Sequence, residues 1–484
     1  MMVRMIKIVL KLFVLFLLIV ITPVYAQTND EASRRATIQF GTETEIAALI
    51  QTLRTENIDY LDDELISLID NTRNQRILSG VFGFFGEREK KGLEARAIRA
   101  IVERDDEANE TVQSAVDYLG RVKSAEAVPV ILDLLDTQER RFLTTGFRAL
   151  GRAGSANSEL ADEAAEFLID YYENRDPGTE NQREVIIAIG ATGSLKGLSL
   201  LIDIVTNADE RVSLRIAALD SLSKIGDPQG LDAILGCIST NDPNVRSAAV
   251  AALGPFSGDE VDKAILDAFR DSFYRTRLAA ATASRDRKLE AAVPYLQYRA
   301  ERDDVPSVRE ECIRALGVIA NKEAIDVLEN LFKERRNSDR VRTIAAEMVM
   351  MTAPNNNLSG LMAEMEDARI KNQTNLFNGL LRVLGETKLT DPSSEFETIT
   401  RRFLAAGSLM EKLYGLDMAA NNNLGNLSQE IVALIGDRNE SLSRKARRVA
   451  EQLRIRIPGE EEENSEEGEE EEASSDEEVV DSEE

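Results

Sequence analysis

Residues 215–254 read RIAALDSLSKIGDPQGLDAILGCISTNDPNVRSAAVAALG, and this stretch decides the fold that the sequence predicts. Apolar residues recur every three or four positions in two segments, as they do on one face of an α-helix. They are Ile216, Leu219 and Leu222 in the first segment and Leu231, Ile234, Leu235 and Ile238 in the second. Asp227-Pro228 and Asp242-Pro243 each place a capping carboxylate ahead of a proline that suits a first helical turn. The stretch therefore predicts two amphipathic helices and the start of a third.

The same unit recurs along the chain. A Leu or Ile followed by Gly stands at Leu119-Gly120, Leu150-Gly151, Ile189-Gly190, Leu253-Gly254, Leu316-Gly317 and Leu384-Gly385. The first two intervals between these glycines correspond to single units, and the three later intervals are nearly twice as long, so each of those holds two units. The resulting period of about 33 residues is typical of a solenoid built from helical pairs.

The repeated unit resembles the HEAT repeat family, in its short, lyase-type form. Three kinds of motif carry the resemblance: a Val-Arg opening of the first helix, an Ala-Leu-Gly ending, and Gly-Asp turns. They stand at Val245-Arg246, Val308-Arg309 and Val341-Arg342, at 149–151, 252–254 and 315–317, and at Gly226-Asp227 and Gly258-Asp259. The resemblance covers residues 111–456. It implies an all-α fold, a right-handed α-α superhelix of the HEAT or armadillo type, and residues 43–110 are expected to form an N-terminal helical cap or a degenerate repeat.

Residues 1–26 predict a signal peptide. Arg4, Lys7 and Lys11 precede the apolar run 12–21, and small residues precede a cleavage site between Ala26 and Gln27. An uncleaved anchor helix is the alternative, although the run is shorter than the ~20 residues of a spanning helix. The expected mature chain is periplasmic or secreted, with no stable membrane insertion, and begins with a flexible linker over residues 27–42.

Residues 457–484 are expected to form a disordered, Glu-rich tail. Acidic side chains outnumber all others from Gly459 to Glu484, and such a segment buries too little apolar surface to fold by itself. A solubilising role is one interpretation. A fold-back contact with the basic segment 441–458, a contact with a partner, and the loose binding of cations or basic proteins are the others.

The composition excludes several functions. The chain has 484 residues, 58 basic and 86 acidic side chains, a net charge of −28, no His, no Trp and two Cys. Without His, neither a His-dependent catalytic triad nor an imidazole metal site can form. The negative charge disfavours nucleic-acid binding. We therefore expect no metal and no cofactor, and the oligomeric state stays open.

Carboxylates recur on the second helices of the units, where the HEAT resemblance implies the concave surface. The candidate protein-binding residues are Asp133, Asp136, Asp203, Asp232, Asp267, Asp326 and Glu329. Together they predict an acidic groove that attracts a basic protein partner. A solvated outer face is the competing interpretation of the same residues.

Three further features have a structural interpretation beside a functional one. Arg246, Arg309 and Arg342 stand at one repeat position and are expected to pair with turn carboxylates such as Asp227 and Asp259. Cys237 and Cys312 lie on apolar helix faces and are expected to be buried free thiols. The segment 80–86, GVFGFFG, predicts either a buried helix or an exposed docking loop.

The leading functional prediction is a non-catalytic scaffold for protein–protein interactions in the bacterial cell envelope. An enzyme is the alternative, because HEAT-like relatives include bilin lyases, an iron-dependent hydroxylase and DNA glycosylases. The hydroxylase resemblance implies His-Glu iron ligands, which a chain without His lacks. A cation or basic-protein binder that uses the acidic tail is a further alternative.

Overall fold

The computed structural model describes residues 24–56, 58–175 and 177–457, with side chains from residue 31 onward. These ranges form α-helices joined by short turns and contain no strand. None of the described helices has the length and apolar character needed to cross a bilayer. Most of the expected signal peptide and nearly all of the expected tail lie outside the described residues. The cleavage site falls within the first helix, at positions whose side chains are not described.

The described helices form two compact units, which divide between Ala264 and Ile265. Those of the first unit are α1 (Val24–Phe40), α2 (Glu43–Glu56), α3 (Asp62–Asn71), α4 (Gln75–Glu87), α5 (Glu94–Val102), α6 (Asn109–Arg121), α7 (Val128–Asp136), α8 (Arg140–Gly154), α9 (Ser158–Asn174), α10 (Gln182–Thr192), α11 (Leu198–Thr206), α12 (Val212–Ile225), α13 (Leu231–Cys237) and α14 (Pro243–Ala252).

The division between the units falls within α15 (Asp259–Ala268). The helices of the second unit are α16 (Tyr274–Asp286), α17 (Val293–Arg302), α18 (Pro306–Ile319), α19 (Lys322–Lys333), α20 (Asp339–Thr352), α21 (Pro354–Ile370), α22 (Thr374–Glu386), α23 (Ser394–Leu404), α24 (Leu409–Asn421), α25 (Ser428–Ile435) and α26 (Glu440–Gln452).

Each unit is a stack of helical pairs in two layers. The even-numbered helices pack against one another in order, α2 to α14 in the first unit and α16 to α26 in the second. The odd-numbered helices cover one side of that even layer, and they contact it more than they contact one another. This arrangement, in which each pair touches its neighbours, is the all-α HEAT-type solenoid fold that the sequence predicts.

Small residues set the close spacing of the even layer. A Cβ atom on Gly120 would lie 2.6 Å from the Cα atom of Ala149, and one on Gly151 would lie 2.8 Å from the Cα atom of Ala188. Real Cβ atoms do not approach other atoms so closely, so only glycine fits at these crossings. The residue before each glycine, Leu119 or Leu150, is fully buried. The repeated Leu-Gly pair therefore supplies one core side chain and one helix crossing.

The predicted caps are confirmed. The Asp227 carboxylate accepts a hydrogen bond from the backbone N–H of Gln229, and that of Asp242 accepts two, from Asn244 and Val245. Gly226 ends α12 with a φ of 68°, a left-handed conformation that favours glycine. These contacts satisfy backbone groups that a helix leaves without partners at its ends.

The repeated arginines have structural contacts, which include backbone carbonyl groups. Arg246 donates to the carbonyl groups of residues 240 and 241, and Arg309 donates to that of Asp303. Arg342, which is almost fully buried, donates to the carbonyl group of Phe332 and pairs with Glu364. Each guanidinium thus binds carbonyl oxygens in the last turn of the preceding odd-numbered helix or in the turn that follows it.

Residues 27–42 differ from the flexible linker that the sequence predicts, because α1 extends through them to Phe40. The helix is held by contacts with distant residues: Arg34 pairs with Glu56, and Arg35 donates to the carbonyl group of Tyr60. Of the two interpretations of residues 43–110, the structure favours the degenerate repeat, since α2 and α4 continue the even layer from α6.

Candidate protein-binding groove

A groove of about 840 Å³ opens on the exposed face of the even layer in the first unit. Its walls come from α2, α4, α6 and α8, so four successive repeats contribute. The lining residues are Thr44, Ala47, Ala48, Gln51, Arg54, Arg76, Ser79, Gly80, Gly83, Glu87, Glu110, Gln113, Ser114, Asp117, Arg121, Thr145 and Arg148. We call this surface the N-terminal groove.

The glycine-rich segment 80–86 shapes the floor of the N-terminal groove. It lies within α4 and is largely buried, which supports the buried-helix interpretation over the docking loop. A Cβ atom on Gly80 would lie 3.3 Å from the Ile50 side chain on α2, and one on Gly86 would lie 3.3 Å from the Arg121 side chain on α6. The glycines let α4 lie close to both neighbours and leave little side-chain bulk on the floor.

Ion pairs between neighbouring repeats cross the N-terminal groove. Arg54 on α2 pairs with Glu87 on α4, and this hydrogen bond holds the pKa of Glu87 below its ordinary value. Asp117 on α6 lies 2.6 Å from Arg121 on the same helix and 3.4 Å from Arg152 on α8. Ion pairs therefore link α2 to α4 and α6 to α8, which fixes where these charges stand along the groove.

A further ion pair between even-numbered helices lies beyond the groove. Arg148 on α8 lies 2.6 Å from Glu184 on α10, and Arg183 approaches the other oxygen of the same carboxylate at 3.2 Å. The hydrogen bond from Arg148 lowers the pKa of Glu184, which stays ionised at neutral pH. About half of the Arg148 side chain is exposed, so its guanidinium can contact a bound segment while it holds Glu184.

Four polar side chains of the groove have hydrogen-bonding capacity to spare. Within the described ranges, the side chains of Thr44, Gln51, Ser114 and Thr145 make no hydrogen bond to the protein. Such groups exchange water for the backbone amides of a bound polypeptide at little cost, because they are already solvated. The geometry thus suits an elongated polar ligand.

The seven predicted carboxylates lie elsewhere. All stand on odd-numbered helices, and none lines the N-terminal groove. Asp136 pairs with Arg175 at 2.5 Å, Asp267 with Arg270 at 3.2 Å, and Glu329, which is half-buried, with Lys333 at 2.9 Å. Asp133, Asp203, Asp232 and Asp326 are exposed. Their role in binding a partner stays a prediction.

The charged groove residues were missed in the sequence, although a signal for them exists. Arg54 and Glu87 are 33 residues apart, and Arg148 and Glu184 are 36 apart. Opposite charges separated by about one repeat are the expected pattern for ion pairs between equivalent helices of neighbouring units. The pattern becomes recognisable only when the repeat register is known through residues 43–110.

Both cysteines are buried free thiols, as the sequence predicts. The thiol of Cys237 donates to the carbonyl group of Val205, and burial raises its pKa. Burial also raises the pKa of Cys312, which is completely inaccessible. In the described part of the chain, no three Cys, Asp or Glu side chains are grouped to hold a metal ion.

Comparison with known proteins identifies the repeat. A family model described as Spirochaete HEAT repeat protein matches residues 38–449. Deoxyhypusine hydroxylase from Bos taurus is 28% identical over 224 residues, which cover 43% of this chain and 65% of that enzyme.

Solved structures also resemble the chain. A crystal structure of Kap121p is matched with a TM-score of 0.44 and 12% identity, over 87% of this chain and 53% of Kap121p. A crystal structure of importin beta is matched with a TM-score of 0.45 and 11% identity, over 87% of this chain and 67% of that chain. The chain thus spans about half the length of the first of these proteins.

Proposed function

Because this chain belongs to the family of Spirochaete HEAT repeat proteins, we propose that it is a non-catalytic scaffold that holds a polypeptide partner in the N-terminal groove. The observation that carries the proposal is the groove itself, since four successive even-numbered helices expose small and polar side chains along one continuous surface. Repeat folds leave such extended surfaces free because each unit needs only its neighbours for stability.

The charges of the groove indicate the chemistry of the partner. Four arginines and three carboxylates line it, so it is close to neutral although the whole chain is strongly acidic. They are Arg54, Arg76, Arg121 and Arg148, with Glu87, Glu110 and Asp117. This mixture of charges favours a polypeptide segment that itself carries both signs, because like charges placed opposite one another are repelled. The acidic odd-helix surface, by contrast, would select a basic partner.

Catalysis is the second candidate, because the chain is similar to deoxyhypusine hydroxylase over 224 residues. The iron site that the HEAT-like hydroxylases imply uses His-Glu ligands, and this chain contains no His. The residues present therefore do not fit that metal site, and we propose no catalytic step.

We further propose that the scaffold acts in the cell envelope. The support is the basic and apolar pattern of residues 1–26, which suits export. N-terminal sequencing of the protein from fractionated cells tests this. We expect Gln27 as the first residue, in the periplasmic or secreted fraction, and an intact N-terminus in the cytoplasm would contradict export.

Site-directed photo-crosslinking in cells tests the groove. A benzophenone side chain placed at Gln51 on α2 reports on the groove, and one placed at Asp203 on α11 reports on the odd-helix surface. We expect a discrete adduct from position 51. Mass spectrometry then identifies the crosslinked partner. The affinity of the purified partner for the full chain is then measured by calorimetry.

Two matched variants decide between the surfaces. Ser79→Arg with Ser114→Arg fills the groove floor with bulk, and Asp133→Lys with Asp203→Lys reverses charge on exposed odd-helix positions. We expect the first variant to weaken binding at least tenfold and the second to leave it within about twofold. The reverse result would move the site to the acidic surface, and unchanged binding in both would remove the groove from the proposal.

A further inference from the structure

Aromatic rings and arginines form a cluster in the second unit. Its members are Phe269, Arg270, Pro294, Tyr295, Tyr298 and Arg299, which surround a depression of about 420 Å³, with Arg302 beside Tyr298. We call this cluster the α17 patch. Aromatic residues make up only 5% of the chain, so their concentration beside α17 is distinctive.

The contacts within the α17 patch organise it for binding. The rings of Phe269 and Tyr295 lie 5.8 Å apart, with the Arg270 guanidinium 5.4 Å from the centre of the Tyr295 ring. Arg299 and Arg302 lie at 5.5 and 5.4 Å from the Tyr298 ring. Cation–π contacts of this kind hold the guanidinium groups next to apolar surface.

Tyr298 remains 52% exposed despite its two arginine neighbours. Arg302 has no carboxylate partner among the side chains that the structure describes, whereas Arg270 pairs with Asp267 and Arg299 approaches Asp303 at 3.5 Å. Tyrosine and arginine are among the residues enriched at the energetic centre of protein interfaces. The patch therefore suits a segment that combines apolar side chains with carboxylates.

The chain itself contains such a segment. Residues 476–481 read Asp-Glu-Glu-Val-Val-Asp, and Val479-Val480 is the one pair of β-branched residues among the acidic side chains that follow Ile457. We propose that this segment docks on the α17 patch of the same molecule. The valine pair packs against the rings of Tyr295 and Tyr298, and the flanking carboxylates pair with Arg302 and its arginine neighbours.

The tether is long enough for this contact. The chain from Ile457, the last described residue, to Val479 spans about 70 Å when extended. The even layer from α26 back to α16 has five helix-to-helix steps, or about 50 Å at about 10 Å a step. A tethered segment also binds at a high effective concentration, so modest contacts suffice.

Photo-crosslinking of the full-length chain tests the docking. A benzophenone side chain at Ser482, just beyond the valine pair, is activated by light, and the crosslinked peptides are mapped by mass spectrometry. We expect adducts with residues 294–302 in monomeric protein, and we expect their yield to fall several-fold in roughly 1 M salt. Adducts mapped to the basic segment 441–458, or adducts only between two copies, would overturn the proposal.

Matched variants separate the patch from general electrostatics. Tyr298→Ala with Arg302→Glu alters exposed patch residues, and Arg444→Glu with Arg448→Glu removes more positive charge from the exposed surface of α26. We expect the patch variant to lose most of the adduct, at least tenfold, and the α26 variant to keep most of it. Val479→Ser with Val480→Ser should act like the patch variant. Equal losses from both charge variants, or none from the valine variant, would contradict docking at the patch.

Thermal melting checks that each variant is folded. The substituted side chains are exposed or lie outside the described residues, so the melting temperatures of the variants should match that of the unaltered chain. Because the patch and the N-terminal groove share no residue, the docking result does not depend on whether the groove binds a partner.

Discussion

The Cα atom of Ala149 lies 2.6 Å from the position that a Cβ atom on Gly120 would occupy. Helices α6 and α8 therefore cross at a distance that only a glycine on one side allows. The next crossing is equally close, because a Cβ atom on Gly151 would lie 2.8 Å from the Cα atom of Ala188 on α10. Protein interiors are close-packed, so the repeats cannot move apart at one crossing without disturbing the neighbouring contacts.

Gly151→Ala tests this crossing. The added methyl group must separate α8 from α10, so we expect the variant to lose about 1–3 kcal/mol of unfolding free energy. Urea unfolding followed by circular dichroism measures the change. Gly236→Ala in α13 is the matched control, because no atom lies within 4 Å of its added Cβ.

The control variant should be more stable than the unaltered chain. Alanine has the higher helix propensity, so we expect Gly236→Ala to gain about 0.5–1 kcal/mol. Equal stability of the two variants would mean that the even layer tolerates wider spacing than the structure indicates.

A second prediction concerns the ion pair between Arg277 and Asp303. Both side chains are almost fully buried, and two N–H groups of Arg277 donate to the carboxylate at 2.7 and 2.8 Å. Asp303→Asn leaves the arginine buried without its main counter-charge, and we expect a loss of about 3 kcal/mol. Asp304→Asn is the control, because Asp304 contacts the same arginine from an exposed position, and we expect it to cost under about 1 kcal/mol.

The same ion pair predicts a pH dependence. Burial by itself would raise the pKa of Asp303, but the hydrogen bonds and charge of Arg277 outweigh it and hold the pKa below its ordinary value. The stabilisation is therefore complete above an unfolded pKa of about 3.9 and is lost as the pH falls through the lower folded pKa. We expect the difference in urea midpoint between the unaltered chain and Asp303→Asn to be constant from pH 7 to pH 5 and to shrink below pH 4. A difference that grows in acid would exclude this origin.

The fold could be predicted from the sequence because its signals are local. Asp227 and Asp242 lie within three residues of the amides that they cap, and Gly120 and Gly151 recur with the helical pair. Helix α1 has no comparable local signal. It is held by contacts such as that of Arg34 with Glu56, 22 residues away.

The N-terminal groove could not be predicted because it depends on which layer exposes a continuous surface. The family resemblance predicts a binding surface on the second helices, whereas the groove residues, such as Gln51 and Ser114, lie on the first. The groove forms on the first helices because α4 packs closely between α2 and α6, and Gly80 and Gly86 permit this packing. Neither glycine belongs to the repeated Leu-Gly pattern, so the periodicity of the sequence does not indicate the groove.

The third prediction concerns the reactivity of the two thiols, one of which lies in each unit. Cys237 and Cys312 are buried and burial raises the pKa of each, so we expect neither to react with a maleimide reagent at pH 7 in the folded chain. Ser239→Cys, at an exposed turn position, is the positive control. Mass spectrometry across a urea series should show each native thiol reacting only as its own unit unfolds, and rapid labelling without urea would contradict the burial.

The pair of Arg148 and Glu184 provides the fourth prediction, because it links the groove to the next repeat. Glu184 is nearly buried and Arg148 is about half exposed, so solvent screening limits their coupling to about 0.5–1 kcal/mol. A double-mutant cycle with Arg148→Ala and Glu184→Gln measures this coupling by urea unfolding. Since Arg183 also contacts the carboxylate, Arg148→Ala alone should cost less than Glu184→Gln, which removes both contacts. One molar salt should reduce the coupling, and a coupling that salt leaves unchanged would show that packing, and not charge, joins α8 to α10.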